Sequence, residues 1–190
     1  MNKKIGVLAL QGSAEEHLGV LMRLDSVIAI PVHTKEELKS VDALILPGGE
    51  SSVIGKLLHI FDLFDLLKER IQDGMPVWGT CAGTILLANH IVGEDPYLSA
   101  INITVARNAY GRQIDSFCTK AIIPQISNRE SDLIFIRAPK ILSWGNDVDI
   151  LCRLGDSPVA LRSGNVLVTA FHPELTDDPS FHRYFASMIR

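Results

Sequence analysis

The chain has 190 residues, with 22 acidic and 18 basic side chains for a formal net charge of −4, and it is 47% hydrophobic and 21% charged. That length fits one compact domain over residues 1–190 that can bury about 70% of its unfolded surface without disulfides or a structural metal. The composition excludes a disordered tail, a collagen-like chain and a disulfide-stapled mini-protein, the slight acidity gives no reason to expect nucleic acid, and no apolar run approaches the ~20 residues of a membrane span.

The basic start Met1-Asn2-Lys3-Lys4 leads into Ile5–Leu10, which is too short for a signal peptide core and reads as a first strand covered on both faces. Gln11-Gly12-Ser13 breaks it. Ala14, Leu18, Leu21 and Met22 then follow at helical spacing, with Glu15 and Glu16 in the first turn, where the helix dipole favours acids. Val27–Val32 is a second strand, and Glu36-Glu37-Leu38 a short helical turn. Ala43–Leu46 is a third strand, stopped by Pro47-Gly48-Gly49. Ile54, Leu57, Leu58, Phe61 and Phe64 predict one long helix reaching about Ile71. Pro76–Gly79 is a short strand, and Ala82 to about His90 is helical again. This alternation predicts parallel strands joined by helical crossovers. Farther on, Ile101–Val105, Phe117–Ile123, Leu133–Arg137, Val159–Arg162 and Val166–Phe171 read as strands with few helices between them. A last helix begins near Asp178-Pro179, with Phe181, Tyr184, Phe185 and Met188 on its apolar face. The expected fold is α/β: an open, mostly parallel sheet flanked by helices, with some antiparallel strands.

Gly79-Thr80-Cys81-Ala82-Gly83 lies between a strand and a helix. It has the pattern of a nucleophile elbow with cysteine in place of serine. The helix N-terminus favours a thiolate, and the Ala82 N–H is placed to stabilise an oxyanion. Cys118 and Cys152 fall in strands and are expected to be inert core thiols. Three cysteines without metal-ligand spacing fit reduced thiols in a cytoplasmic protein, with neither metal nor cofactor. Among six histidines, His172 stands out at the end of the apolar strand Val166–Phe171. Ligands bind beyond the carboxyl ends of parallel strands, and both Cys81 and His172 follow strands there. On an extended chain Glu174 points the same way as His172 and can orient its imidazole as the third member of a triad.

Pro47-Gly48-Gly49-Glu50-Ser51 offers backbone that a ligand can approach closely, and Gly49 is a second candidate oxyanion donor. The run Gly49 to Gly55-Lys56 is no P-loop, because five residues separate the glycines and Leu57 follows the lysine. Arg107, in Arg107-Asn108-Ala109-Tyr110-Gly111-Arg112-Gln113, and Arg137, after Ile136, each offer a guanidinium to a substrate carboxylate.

Together these stretches resemble the class I (triad) glutamine amidotransferases. Leu8–Gly12, Leu46–Ser52, Arg107–Gln113 and His172–Thr176 narrow the resemblance to the glutaminase subunits of pyridoxal 5′-phosphate synthase. The resemblance implies that Cys81 attacks the side-chain amide of L-glutamine, that Gly49 and Ala82 hold the oxyanion, and that His172, oriented by Glu174, moves the protons. It implies that Gly48, Gly49, Glu50, Arg107, Ile136 and Arg137 line the glutamine site. Its implied partner is a PdxS-type synthase subunit, which receives the ammonia within a large hetero-oligomer. A Gly48-Gly49 peptide able to rotate would let such a partner gate activity, with Gln11 as the sensing residue. Two rivals are a PfpI-like cysteine hydrolase or deglycase, which needs no Glu two residues after the histidine, and a non-catalytic regulatory module, against which the intact Cys81, His172 and Glu174 speak.

Overall fold

The computed structural model describes residues 2–107 and 116–190. In chain order the elements are β1 (Lys3–Leu8), α1 (Ala14–Leu21), β2 (Val27–Val32), α2 (Lys35–Ser40), β3 (Ala43–Leu46), α3 (Ser51–Ile60), α4 (Phe64–Gln72), β4 (Val77–Thr80), α5 (Ala82–Leu87) and β5 (Ala88–Ile91). There follow β6 (Ile101–Ala106), β7 (Ser116–Ile123), β8 (Ser127–Ile136), β9 (Lys140–Trp144), β10 (Asp149–Leu154), β11 (Ser157–Ser163), β12 (Val166–Thr169), a 3-10 turn at Pro173–Leu175, and α6 (Ser180–Ser187).

Seven strands form the main sheet in the order β10-β11-β12-β4-β3-β1-β2. The five from β12 to β2 run parallel, and β10 and β11 add antiparallel to that edge. Successive residues of the short central strands serve opposite faces, as the two-residue strand period requires. Ala43 and Ile45 of β3, Trp78 of β4 and Leu167 of β12 pack with α1 and α6. Leu44 and Leu46, Val77, and Val166 and Val168 pack with α3, α4 and α5. These strands have no wet face, which is why they read as unbroken apolar runs; each fully buried Leu, Ile or Val contributes roughly 1.5–3 kcal/mol. Smaller sheets, β5-β6-β9 and the hairpin β7-β8, extend the two cores.

Three expectations need correction. The long helix after β3 is broken into α3 and α4: Asp62 takes φ 55, its carboxylate pairs with Lys35, and Leu63 N–H reaches back to Leu58 O at 2.8 Å. A single periodic stripe cannot signal a break that keeps both halves on one core. The helix after the elbow ends at Leu87 instead of His90, because Ala88–Ile91 pairs in parallel with β6. β8 starts at Ser127, well before Leu133, because its polar first half is paired with β7, while β9 and β10 have mixed patterns that gave no strand signal. At the last helix, Asp178 accepts from the Ser180 N–H at 2.9 Å, and Phe181 and Phe185 are buried as expected.

Candidate active site

The parallel strands β12, β4, β3 and β1 are neighbours, so the segments leaving their carboxyl ends meet at one edge. His172 follows β12, Cys81 follows β4, Gly48 to Glu50 follow β3, and Gln11 to Ser13 follow β1. A cleft of about 330 Å³ opens there. Of the described residues expected at the site, Glu174 alone does not line it and lies behind His172.

Cys81 sits at the elbow with φ 47 and ψ −103, a left-handed conformation that costs a non-glycine residue about 1–3 kcal/mol. The surroundings enforce it. Its N–H donates to Thr169 O at 2.8 Å, and Thr84 Oγ1 ties the start of α5 to Gly79 O and Thr169 O at 3.1 and 2.8 Å. A Cβ on Gly83 would stand 2.1 Å from Leu46 O, and one on Gly79 would stand 2.4 Å from the Gly83 backbone, so the elbow packs backbone on backbone. Ala82 opens α5, where a first-turn N–H has no partner within the helix.

The His172 imidazole faces Cys81 on one side and Glu174 on the other, with Nδ1 2.7 Å from Glu174 Oε1. Burial alone would lower its pKa, but the hydrogen bonds and charges of Cys81 and Glu174 outweigh it and push it up to about 10. Burial likewise opposes charge on Glu174, yet His17, His172 and Ser13 bring its carboxyl down to about 2. The pair is therefore an imidazolium and a carboxylate at neutral pH. His172 and Glu174 meet, but not on an extended chain. His172 has φ −111 and ψ 83, and Pro173–Leu175 is a 3-10 turn that swings the carboxylate under the ring.

Ser13 carried no functional signal in the sequence, although it connects two parts of the site. It stands at the N-cap position of α1 but does not cap it. Its Oγ–H donates instead to Glu174 Oε1 at 2.7 Å, and its N–H donates to Gly48 O at 2.9 Å. The helix forgoes a cap worth about 0.5–2 kcal/mol so that the hydroxyl can serve the carboxylate. Gly12 permits this contact: it has φ 99, and a Cβ there would lie 1.8 Å from Gly48 O. Gln11 Oε1 accepts from the Glu50 N–H at 2.9 Å, so the segments after β1 and β3 are joined twice.

Arg107 holds Glu94 through Nη1 at 3.0 and 3.1 Å and pairs with Glu50 through Nη2. It is thus a guanidinium already set between two carboxylates. Arg137, at φ 44, turns the chain after β8 into the cleft, and its side chain has no ion pair or hydrogen bond among the described residues. Ile136 O lies 3.7 Å from the Cys81 sulfur. The rest of the arginine-containing stretch, Asn108 to Gln113, lies outside the described residues. Ser51 is buried at the cleft, its hydroxyl without a partner among them. Cys152 is buried as expected, whereas Cys118 is exposed on the hairpin strand β7 and is not a core thiol.

The SNO glutamine amidotransferase family model matches residues 7–190. The chain belongs to that family. The SNO family assignment agrees with full-length relatives. The chain is 51% identical to the pyridoxal 5′-phosphate synthase subunit PdxT of Clostridium botulinum, covering 96% of this chain and 95% of that protein. It is 52% identical to PdxT of Clostridium kluyveri, covering 98% and 100%. A crystal structure of a glutamine amidotransferase superposes with a TM-score of 0.91 at 45% identity, covering 97% of this chain and 98% of the other. A putative GMP synthase component from Thermoplasma acidophilum, at 19% identity and a TM-score of 0.69, covers 100% of this chain and 94% of the other and shares the fold. SNO family membership thus accords with the mostly parallel sheet.

Proposed function

We propose that the chain is the glutaminase subunit of a pyridoxal 5′-phosphate synthase, hydrolysing L-glutamine to L-glutamate and ammonia and passing the ammonia to a PdxS-type subunit. The observation that carries the reading is the Cys81 elbow facing the His172 imidazole, whose Nδ1 lies 2.7 Å from a buried carboxylate. The Cys81 thiolate attacks the side-chain amide carbon. The N–H groups of Ala82 and Gly49 take the oxyanion, each such donor contributing on the order of 10²–10³ in rate. His172 gives its Nε2 proton to the departing nitrogen, and ammonia leaves a thioester. His172 then takes a proton from water, whose oxygen attacks the thioester; glutamate leaves and the thiolate–imidazolium pair returns. Glu174 keeps Nδ1 protonated throughout.

Substrate glutamine is a zwitterion. Arg107 and Arg137 offer guanidinium groups to its α-carboxylate, and Glu50, drawn beside Arg107, faces its α-ammonium. Gly48, Gly49 and Ile136 supply backbone along its side chain. A Cys81 thiolate needs a reducing compartment, which supports a cytoplasmic location. Partner gating fits the loop geometry. Rotating the Gly48-Gly49 peptide breaks the Ser13–Gly48 hydrogen bond, and Gln11, bound to the next N–H along, is placed to report a docked surface.

The test is glutamate release by the purified chain, with and without a stoichiometric PdxS-type subunit. The expected result is slow release alone, a marked rise with the partner, and none from Cys81→Ala in either case. Absence of glutamate under both conditions refutes the glutaminase reading; a full rate without partner refutes only the gating.

A further inference from the structure

Behind Glu174, on the side away from the cleft, lie two histidines that the reaction as described does not use. His17 of α1 and His182 of α6 are both completely buried. Their rings meet with His17 Nδ1 2.9 Å from His182 Nε2. The other nitrogen of His17, Nε2, is 3.1 Å from Thr80 Oγ1 and 3.4 Å from Glu174 Oε2. Trp78 makes T-shaped contacts with both rings, at 5.5 Å from His17 and 4.9 Å from His182.

The hydrogen count along this row decides where the protons sit. Among the described residues, Glu174 Oε2 is buried and takes no well-aligned hydrogen bond, and His182 Nδ1 is buried without a partner. If His17 carried its proton on Nδ1, its Nε2 lone pair would face the carboxylate, and His182 would have to carry its own proton on the unpartnered Nδ1. That arrangement buries a stranded N–H and sets a lone pair against a charge. With both protons on Nε2, His182 donates to His17 Nδ1, and His17 turns an N–H toward Thr80 Oγ1 and Glu174 Oε2. Only a lone pair on His182 is then unused, the lesser cost. Burial, the largest influence on each ring, favours neutral imidazole in both; Glu174 opposes it, while His172 acts with burial on His17, and His17 and Arg23 act with it on His182. Glu16, beside His17 on α1, also draws toward protonation but is outweighed.

We propose that His17, held in its Nε2–H form by His182, is a positioning residue for the triad: it fixes the second oxygen of Glu174 so that the first stays aligned with His172. This rests on the triad reading above. Glu174 is then held at Oε1 by hydrogen bonds with Ser13 and His172, while Oε2 is faced at 3.4 Å by the His17 Nε2–H, which is shared with Thr80 Oγ1. His17 touches neither substrate nor sulfur, and its effect reaches the reaction through the imidazole.

Full-length wild type, His17→Gln and His17→Leu are compared in the presence of the synthase subunit. Glutamine retains an N–H at about the same place; leucine does not. His17→Leu is expected to lose about tenfold or more in kcat with KM within about twofold, and His17→Gln to recover most of it. Iodoacetamide trapping of Cys81 across pH requires no glutamine, so it reads the Cys81–His172 pair even if the glutaminase reading fails. Its alkaline inflection, where His172 gives up the proton it holds to about pH 10, is expected to move down in His17→Leu and return in His17→Gln. An unchanged kcat and inflection in His17→Leu overturns the proposal, as does equal damage in both variants with the inflection in place, which marks a packing role. Should His17→Leu fail to fold, ¹⁵N-histidine NMR on the wild type decides. Both buried rings are expected neutral and Nε2-protonated from about pH 6 to 8, and a His17 protonated on Nδ1 overturns the assignment.

Discussion

Glu174→Gln tests the triad most directly, because it keeps the shape of the side chain and removes its charge. The carboxylate accepts from His172 Nδ1–H and from Ser13 Oγ–H, each at 2.7 Å, in a site closed to solvent. A hydrogen bond to a charged group contributes about 1.5–3 kcal/mol and a neutral one about 0.5–1.5. The imidazolium therefore loses at least about 1–1.5 kcal/mol of support. At about 1.4 kcal/mol per factor of ten, kcat falls by at least roughly fivefold to twelvefold. The amide nitrogen adds to the loss, since it must face either His172 or His17, both of which present N–H groups. His172 also loses the partner that helps hold its proton to about pH 10, so the alkaline limb of kcat moves to lower pH. The assay is glutamate release with the synthase subunit present, measured from neutral pH upward, with His172→Asn as the inactive reference. A Glu174→Gln enzyme with full rate and an unmoved alkaline limb would falsify the triad and return weight to a cysteine hydrolase of another kind.

A glutamine-like electrophile is expected to label Cys81 alone by peptide mass mapping, whereas plain iodoacetamide also reaches the exposed Cys118; labelling of Cys118 or Cys152 by the glutamine mimic contradicts the assignment. On the proposed role, Arg107→Ala is expected to raise KM by a factor equivalent to about 1.5–3 kcal/mol, since the charged hydrogen bond to substrate is lost and Glu50 and Glu94 lose the guanidinium between them; a change confined to kcat is the contrary result. The raised pKa of His172 makes a stability prediction of definite sign. Its contribution is complete below its ordinary value of 6.5 and is lost as pH rises toward about 10, so the melting temperature falls across that window in wild type and falls less in His172→Asn. Parallel melting curves for the two proteins over that range argue against the ion pair.

The sequence exposed those parts of the fold in which local pattern and burial coincide. The central strands β1, β3, β4 and β12 are dry on both faces and so read as apolar runs, and the turns leaving them carried the legible chemistry. What stayed hidden depends on contacts distant in sequence. Ser13 looked like punctuation between a strand and a helix, because its partner Glu174 is 161 residues away. His17 repeats with Ala14, Leu18 and Leu21 on the buried face of α1, and that spacing was the available sign that a polar group lay inside. The polar half of β8 is a strand only because β7 pairs with it. The break at Asp62 leaves the apolar stripe intact and gives no periodic signal. Cys118 alternates along a strand whose two faces have similar composition, so its outward position could not be read from residue type.

The strand leading to His172 is made after β1 to β11, yet it belongs in the middle of the sheet. β12 lies between β11 and β4, and until it arrives the segment carrying Cys81 has an open strand edge on that side. A growing chain therefore displays Cys81, the proposed nucleophile, well before His172, and cannot assemble the proposed triad until β12 has emerged. The same order exposes a hazard. An unfilled slot beside an apolar strand is a template for mispairing with a neighbouring chain, and long-range parallel pairing closes slowly. Conditions that delay β12 should be felt first as aggregation during synthesis, before any loss of stability in the finished enzyme.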